Sequence, residues 1–299
     1  MKTLGTRNNF LAIEPKYSTM ANARIAVLPA PYERTTTYGK GTRGGPRAIL
    51  SASAFVEFYD DEFDRELVFD VGIATISPIQ FGKLAGPKAI ALIRKQVDAL
   101  LEKGKFVVTL GGEHTISLAP ITAHLAKYPN LSVLHFDAHS DLRQAYEGTP
   151  YSHASVMARV IEHLDPRRLV QVGIRAQCIE ESRLIKEKGI NTFFAYQMYN
   201  GSMPGWQDRV VESLTEDVYV SFDLDALDPA ILPSTGTPEP NGMFWPETMS
   251  LLRKVGERRR IVGCDVVELA PPMGPKHSEI TAAKLTYKLM NYAFFRRSG

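Results

Sequence analysis

Short runs of β-branched and apolar residues alternate along the chain with segments whose apolar positions recur every three or four residues. The runs predict strands over residues 24–28, 106–110, 131–136, 169–173, 218–222 and 261–267, with 191–195 a weaker candidate. Helical patterns fall near residues 86–103, 116–127, 155–163, 180–188, 246–257 and 279–295. In the first of these, Ile90, Ile93, Val97, Leu100 and Leu101 follow the 3.6-residue repeat of one helix face. Runs such as FVVTL and VYVSF have almost no polar alternation, as a parallel sheet covered on both faces requires. The order of elements therefore predicts an α/β sandwich, in which ligands bind beyond the carboxyl ends of the strands.

A chain of 299 residues suits one large α/β domain, although length alone would also allow two smaller ones. No internal repeat, low-complexity tract or Pro/Ser linker divides it, so a single domain over 1–299 is expected, with 1–22 a peripheral N-terminal extension. Hydrophobic residues at 44% and charged residues at 23% match ordinary soluble globular proteins. A net charge of +2 gives no reason to expect a nucleic-acid partner. No stretch approaches the roughly 20 apolar residues of a membrane span, and the N-terminus lacks an apolar core of signal-peptide length. The expected location is the cytoplasm, where Cys178 and Cys264 read as structural thiols.

The chemistry gathers at four strand ends. One runs into Gly111, Gly112, Glu113 and His114; a second into Asp137, Ala138, His139, Ser140 and Asp141; a third into Asp223, Leu224 and Asp225; a fourth into Glu268. Alternate residues of an extended chain point to one side, so Asp137, His139 and Asp141 should project together, as should Asp223 and Asp225. Carboxylates packed side by side repel unless a cation lies between them. The glycines before His114 let the backbone approach such a crowded site. Four aspartates and two histidines are too many for one tetrahedral zinc and suit two metal ions. Oxygen-dominated ligation with some imidazole favours manganese. Two divalent ions balance four aspartates, and a hydroxide between them would leave the site slightly negative. Such a site attracts a guanidinium and repels carboxylate or phosphate substrates.

These residues resemble a known family. GGEHT, FDAHSDLR, SFDLDALDPA and VELAPP are similar to the four signature blocks of the ureohydrolases, which include arginase and agmatinase. The early stretch PAPYERTTTYGKGTRGGPRAI resembles the agmatinase-like branch. The resemblance implies a three-layer α/β/α sandwich with a mainly parallel, eight-stranded sheet and assembly as a homotrimer or homohexamer. It implies two Mn2+ per chain: His114 and Asp141 on the first, His139 and Asp225 on the second, Asp137 and Asp223 bridging both. Glu268 would pair with the substrate guanidinium, a role that also suits a strand-end carboxylate able to make paired hydrogen bonds. His153, in YSHASV, matches the family's loop histidine, which moves protons or holds substrate; Ala154 replaces the usual glycine. Asp141 would accept a proton from the attacking water and return it to the leaving amine.

The segment after Asp141 reads LRQAYEGTPYS and lacks the Asn-rich pattern of arginases. Its Glu147, with Tyr146 and Tyr151, suits a cationic amine tail, and Glu147 is the expected contact of a distal ammonium. The expected reaction is hydrolysis of agmatine to urea and putrescine. The alternatives are N1-aminopropylagmatine, or guanidinobutyrate or guanidine, with Arg143 the candidate partner of a carboxylate tail. A zinc deacetylase and a non-catalytic homologue are the rival classes, and both are disfavoured by the complete ligand set. Among the other histidines, His135 reads as a satisfied core residue, and His124, His163 and His277 as helix-surface or loop residues.

Overall fold

The computed structural model describes residues 1–295; the last four residues of the expected domain lie outside them. Eight strands form one sheet: β1 (Ile25–Ala30), β2 (Ile73–Thr75), β3 (Phe106–Gly111), β4 (Ser132–Phe136), β5 (Leu169–Ile174), β6 (Asn191–Phe194), β7 (Asp217–Asp223) and β8 (Arg260–Val267). Their order is β2-β1-β3-β8-β7-β4-β5-β6, and every neighbouring pair is parallel.

Successive strand residues point to opposite faces, and both faces are covered. Ile25, Val27, Val108, Leu134 and Val220 join a core closed by the helices Gly45–Ser53, Trp206–Ser213, Trp245–Arg258 and His277–Ala293. Ala26, Val107, Val133 and Tyr219 face the other way, into a core closed by Pro87–Glu102, Leu118–Lys127 and Ile179–Lys188. This double burial is why the strands read as continuous apolar runs. The architecture is the three-layer α/β/α sandwich that the sequence predicts.

Four expectations need correction. Residues 1–22 are not peripheral: Phe10, Leu11 and Ile13 are buried in the core. The Leu4 amide donates to the Thr75 carbonyl (2.8 Å) and the Phe10 amide to Thr75 Oγ1 (2.8 Å), which ties this segment to the edge strand β2. β2 itself was not predicted, because three residues are too short to show a period. The helix expected over 155–163 shrinks to Val156–Val160, because the Glu162 and His163 amides bond back three residues and tighten the chain into a turn. His124 is not a surface residue: it is fully buried, its Nδ1 lies 2.7 Å from the Pro120 carbonyl, and its ring packs on Gly263 of β8, where any Cβ would collide with it. Cys178 and Cys264 are both free thiols. No helix among the described residues is long and apolar enough to cross a membrane.

Candidate metal centre and cleft

The four strands that carry the polar clusters, β3, β8, β7 and β4, are neighbours in the middle of the sheet. Their carboxyl ends therefore converge without any long loop. Gly112 makes the convergence possible: its backbone passes so close to Tyr32 that a Cβ would overlap the Tyr32 carbonyl. Its carbonyl accepts the Glu268 amide (2.9 Å), which links the ends of β3 and β8.

The two acidic motifs fold alike. Asp137 Oδ1 accepts the amide of His139 (2.6 Å), and Asp223 Oδ1 accepts the amide of Asp225 (2.9 Å). Each first aspartate thus caps its own turn, and the turn presents the next ligand. A straight strand does not do this: Asp141 lies in the left-handed region, at φ 54°. Asp225 Oδ1 accepts the Ala138 amide (3.0 Å), which locks the two turns together.

His114 Nδ1 lies 3.0 Å from Asp137 Oδ2, 3.0 Å from Asp141 Oδ2 and 3.2 Å from Asp223 Oδ2. His139 Nδ1 lies 3.0 Å from Asp225 Oδ2 and 3.5 Å from Asp137 Oδ1. The six candidate ligands thus gather in two groups that share Asp137, one around His114 and one around His139, and His135 lies close enough to count with the first. The other ring nitrogen of His114 explains what Nδ1 does. Ser221 Oγ gives its one proton to Asp265 Oδ1 (2.9 Å), so at 3.0 Å it accepts from His114 Nε2. Nδ1 is buried and faces three carboxylate oxygens, a position that needs a proton or a cation between them.

That arrangement calls for positive charge. Burial, and then the negative charge of Asp137, raise the Asp141 pKa to about 7. Burial, with Asp225 and Asp137 beside it, pushes Asp223 well above the usual carboxylate range. Burial opposes a proton on His114, yet the three carboxylates outweigh it and hold the His114 pKa well up. Either a proton or a metal ion satisfies this point, and the donor set of carboxylate oxygens and imidazole nitrogens fits a divalent cation.

Several supporting residues escaped the sequence reading. Ser221, Asp265 and Tyr219 form a buried chain behind His114, with the Tyr219 hydroxyl donating to Asp265 Oδ2 (2.8 Å). A Ser and an Asp inside apolar strands were the available signal, since buried polar groups have partners. His135 is satisfied, as expected. Gln171 Nε2 donates to its Nδ1 (3.0 Å) and its Nε2 reaches Asp137 Oδ2 (2.7 Å), so it holds the Asp137 carboxylate in place. Arg175 joins the carbonyls of Asp225 (2.6 Å) and Glu239 (2.9 Å), bracing the loop after β7 against the cluster.

A cavity of about 260 Å³ opens beside the centre, with His139, Asp141, Arg143, Tyr146, His153 and Glu239 on its wall. Glu268 is 7% exposed, with Oε1 accepting the His114 amide (2.5 Å). Burial and the charge of Glu113 push its pKa well up. Glu147 is not on this wall: it sits exposed at the tip of the Tyr146–Thr149 turn, at φ 46°. Arg143 stacks over Tyr146 and lies 3.9 Å from Glu181, which also accepts the amides of Leu142 (2.9 Å) and Cys178 (2.7 Å). Glu239, whose main-chain carbonyl is held by Arg175, is the wall residue whose side-chain carboxylate makes no hydrogen bond or ion pair among the described residues.

A central parallel sheet with this cluster at its strand ends has the plan of the ureohydrolases, enzymes that hydrolyse guanidino C–N bonds. The chain belongs to the arginase family, whose model matches residues 23–291. It is 39% identical over 278 residues to an N(1)-aminopropylagmatine ureohydrolase of Synechocystis sp., covering 91% of this chain and 90% of that one. It is 35% identical to an agmatinase of Bacillus subtilis, covering 91% of each. The solved agmatine ureohydrolase of Thermoplasma volcanium superposes with a TM-score of 0.83 at 26% identity, over 98% of this chain and 94% of that one.

Proposed function

We propose that the cleft hydrolyses the guanidinium group of agmatine, giving urea and putrescine, with two Mn2+ ions held by His114, Asp137, His139, Asp141, Asp223 and Asp225. The observation that carries this reading is the buried His114 Nδ1 ringed by three carboxylates, of which Asp141 lines a small cavity. The bound ions would supply the acidity that makes a water nucleophilic near neutral pH.

The chain's own residues do the rest. The second oxygen of Glu268, which has no partner among the described residues, faces a guanidinium N–H pair and turns the carbon toward the water. The Asp141 carboxylate takes a proton from that water as its oxygen bonds to carbon, and returns the proton to the amine nitrogen as the C–N bond breaks. Glu239 replaces Glu147 as the group for the substrate's distal ammonium, because it is the unpaired carboxylate on the wall. The pairing of Arg143 with Glu181 leaves little cationic charge there to favour a carboxylate tail.

N1-aminopropylagmatine is the second reading, favoured by the 39% identity to a ureohydrolase named for that substrate. The proposal extends to a cytoplasmic homotrimer or homohexamer. The test is urea release from manganese-loaded protein given agmatine, aminopropylagmatine, arginine, guanidinobutyrate and guanidine side by side. Preference for an amine-tailed substrate supports the reading. Preference for guanidinobutyrate or arginine overturns the assignment of Glu239. No urea from any of them, with two metals verified per chain, overturns the reaction.

A further inference from the structure

The PYERTTTYG segment was singled out in the sequence without a role. In the fold it lies against the loop that carries His153, and Thr35 is the contact. Thr35 Oγ1 is 2.8 Å from Glu113 Oε1, 3.1 Å from the His153 amide and 3.2 Å from His153 Nδ1.

Proton counting decides who donates. Glu113 is fully buried, and a carboxylate only accepts. Its Oε2 takes the amides of Arg34 (2.6 Å) and Thr35 (2.7 Å); its Oε1 takes the hydroxyls of Thr35 (2.8 Å) and Thr115 (2.8 Å). The single hydroxyl proton of Thr35 is therefore committed to Glu113, in a bond strengthened by the carboxylate charge. The lone pairs of Thr35 Oγ1 then face two groups of His153. The amide brings its own hydrogen, so Nδ1 must bring one as well. The reverse arrangement, with Thr35 donating to Nδ1, would give up a charge-assisted bond for a longer neutral one. Tyr146 sets its ring edge-on to the imidazole at 5.8 Å and 86°, which limits the ring's rotation. His153 Nε2 makes no hydrogen bond among the described residues, and the residue lines the cavity.

We propose that Thr35, braced by Glu113, is a positioning residue that fixes His153 as the Nδ1–H tautomer and leaves the Nε2 lone pair facing the cleft. The tautomer stands on the hydrogen bonds alone; its use in catalysis rests on the ureohydrolase reading. Once Asp141 has protonated the leaving amine, urea is left carrying one proton too many on its oxygen. Nε2 takes that proton and passes it to the free amine, which departs as an ammonium. Atoms and charge balance: a guanidinium and water enter, and neutral urea and an ammonium leave. The opposite tautomer would present an N–H to the cleft and could not accept.

Neutron diffraction from crystals of the full-length, metal-loaded protein at mildly alkaline pH reads the tautomer directly. A deuteron on Nδ1 with Nε2 bare is expected; a deuteron on Nε2 with Nδ1 bare overturns the proposal. Kinetics supply the second arm. Thr35→Val keeps the shape and removes the hydroxyl, and should lower kcat about 10- to 100-fold with KM changed less than about threefold, the size of effect that misplacement of a catalytic group produces. Thr35→Ser restores the hydroxyl and should recover most of kcat, which separates this role from general packing. An unchanged kcat in Thr35→Val, at an unchanged melting temperature, overturns the positioning role. If the wild-type protein hydrolyses no guanidine, the ureohydrolase reading fails while the neutron map still decides the tautomer.

Discussion

At the scale of single residues, the cluster of candidate ligands was legible because its chemistry is costly in any other setting. Four carboxylates at adjoining strand ends need a cation, whatever the fold. Asp141 differs from the other three aspartates in also lining the cavity, the position that its proposed proton transfer requires. Asp141→Asn should lower kcat by about 10³-fold or more in protein whose metal content matches wild type; activity within about tenfold of wild type would remove its proton-transfer role. Glu147 sits away from the cavity for a physical reason. The chain turns through left-handed conformations at Glu147 and Gly148, which swings the side chain to solvent, and no periodic pattern announces such a turn. Glu239 lies 98 residues beyond Asp141, on a loop whose carbonyl Arg175 holds, so nothing local marked it. Glu239→Gln should raise KM for agmatine about tenfold, the loss expected for one charge-assisted contact, while Glu147→Gln leaves KM unchanged. Steady-state kinetics of the pair decide between the two carboxylates, and the reverse pattern would return the role to Glu147.

At the scale of elements, continuous apolar runs revealed six of the eight strands, because burial on both faces removes polar residues from them. β6 was the weaker candidate, and β2 was invisible for lack of length. His124 shows how helix reading fails. Its position in the helix Leu118–Lys127 looked polar, but Gly263 on β8 leaves a hollow that the imidazole fills. Burial there lowers its pKa from 6.5 to about 4. The folded state therefore holds His124 neutral over a range in which the unfolded chain binds a proton. Stability contributed by this residue is present above about pH 6.5 and is lost as pH falls toward 4, a change of about 2–4 kcal/mol. The denaturation midpoint in urea should fall over that window in wild type and fall less in His124→Phe, which keeps a ring over Gly263. Parallel slopes for the two proteins would show that His124 titrates normally.

At the scale of the whole molecule, the strand order matters most. β3, β8, β7 and β4 are sequence-distant but adjacent in the sheet, so the ligand set exists only when the sheet is assembled. An unfolded chain offers the same side chains scattered over more than 100 residues. Cations that bind the folded cluster and not the unfolded chain stabilise the fold by mass action, by about 2.7 kcal/mol at a free concentration 100 times Kd. For a chain of this size that corresponds to a melting temperature higher by roughly 4 °C. The metal-free protein has a second reason to be weak: Asp141 and Asp223 are crowded against Asp137 with only histidine protons to balance them. Adding manganese to chelator-treated protein should therefore raise the melting temperature in a concentration-dependent way. Asp137→Asn, which removes the carboxylate common to both groups, should abolish most of that rise while raising the melting temperature of the metal-free form toward the loaded value. Magnesium should act less strongly, because it accepts imidazole ligands less readily than manganese. Calorimetric scans with metal content measured on the same samples give the answer. A melting temperature indifferent to manganese, in protein shown to have lost and regained its metal, would mean that the carboxylates are balanced by protons and that the cluster is not a metal centre.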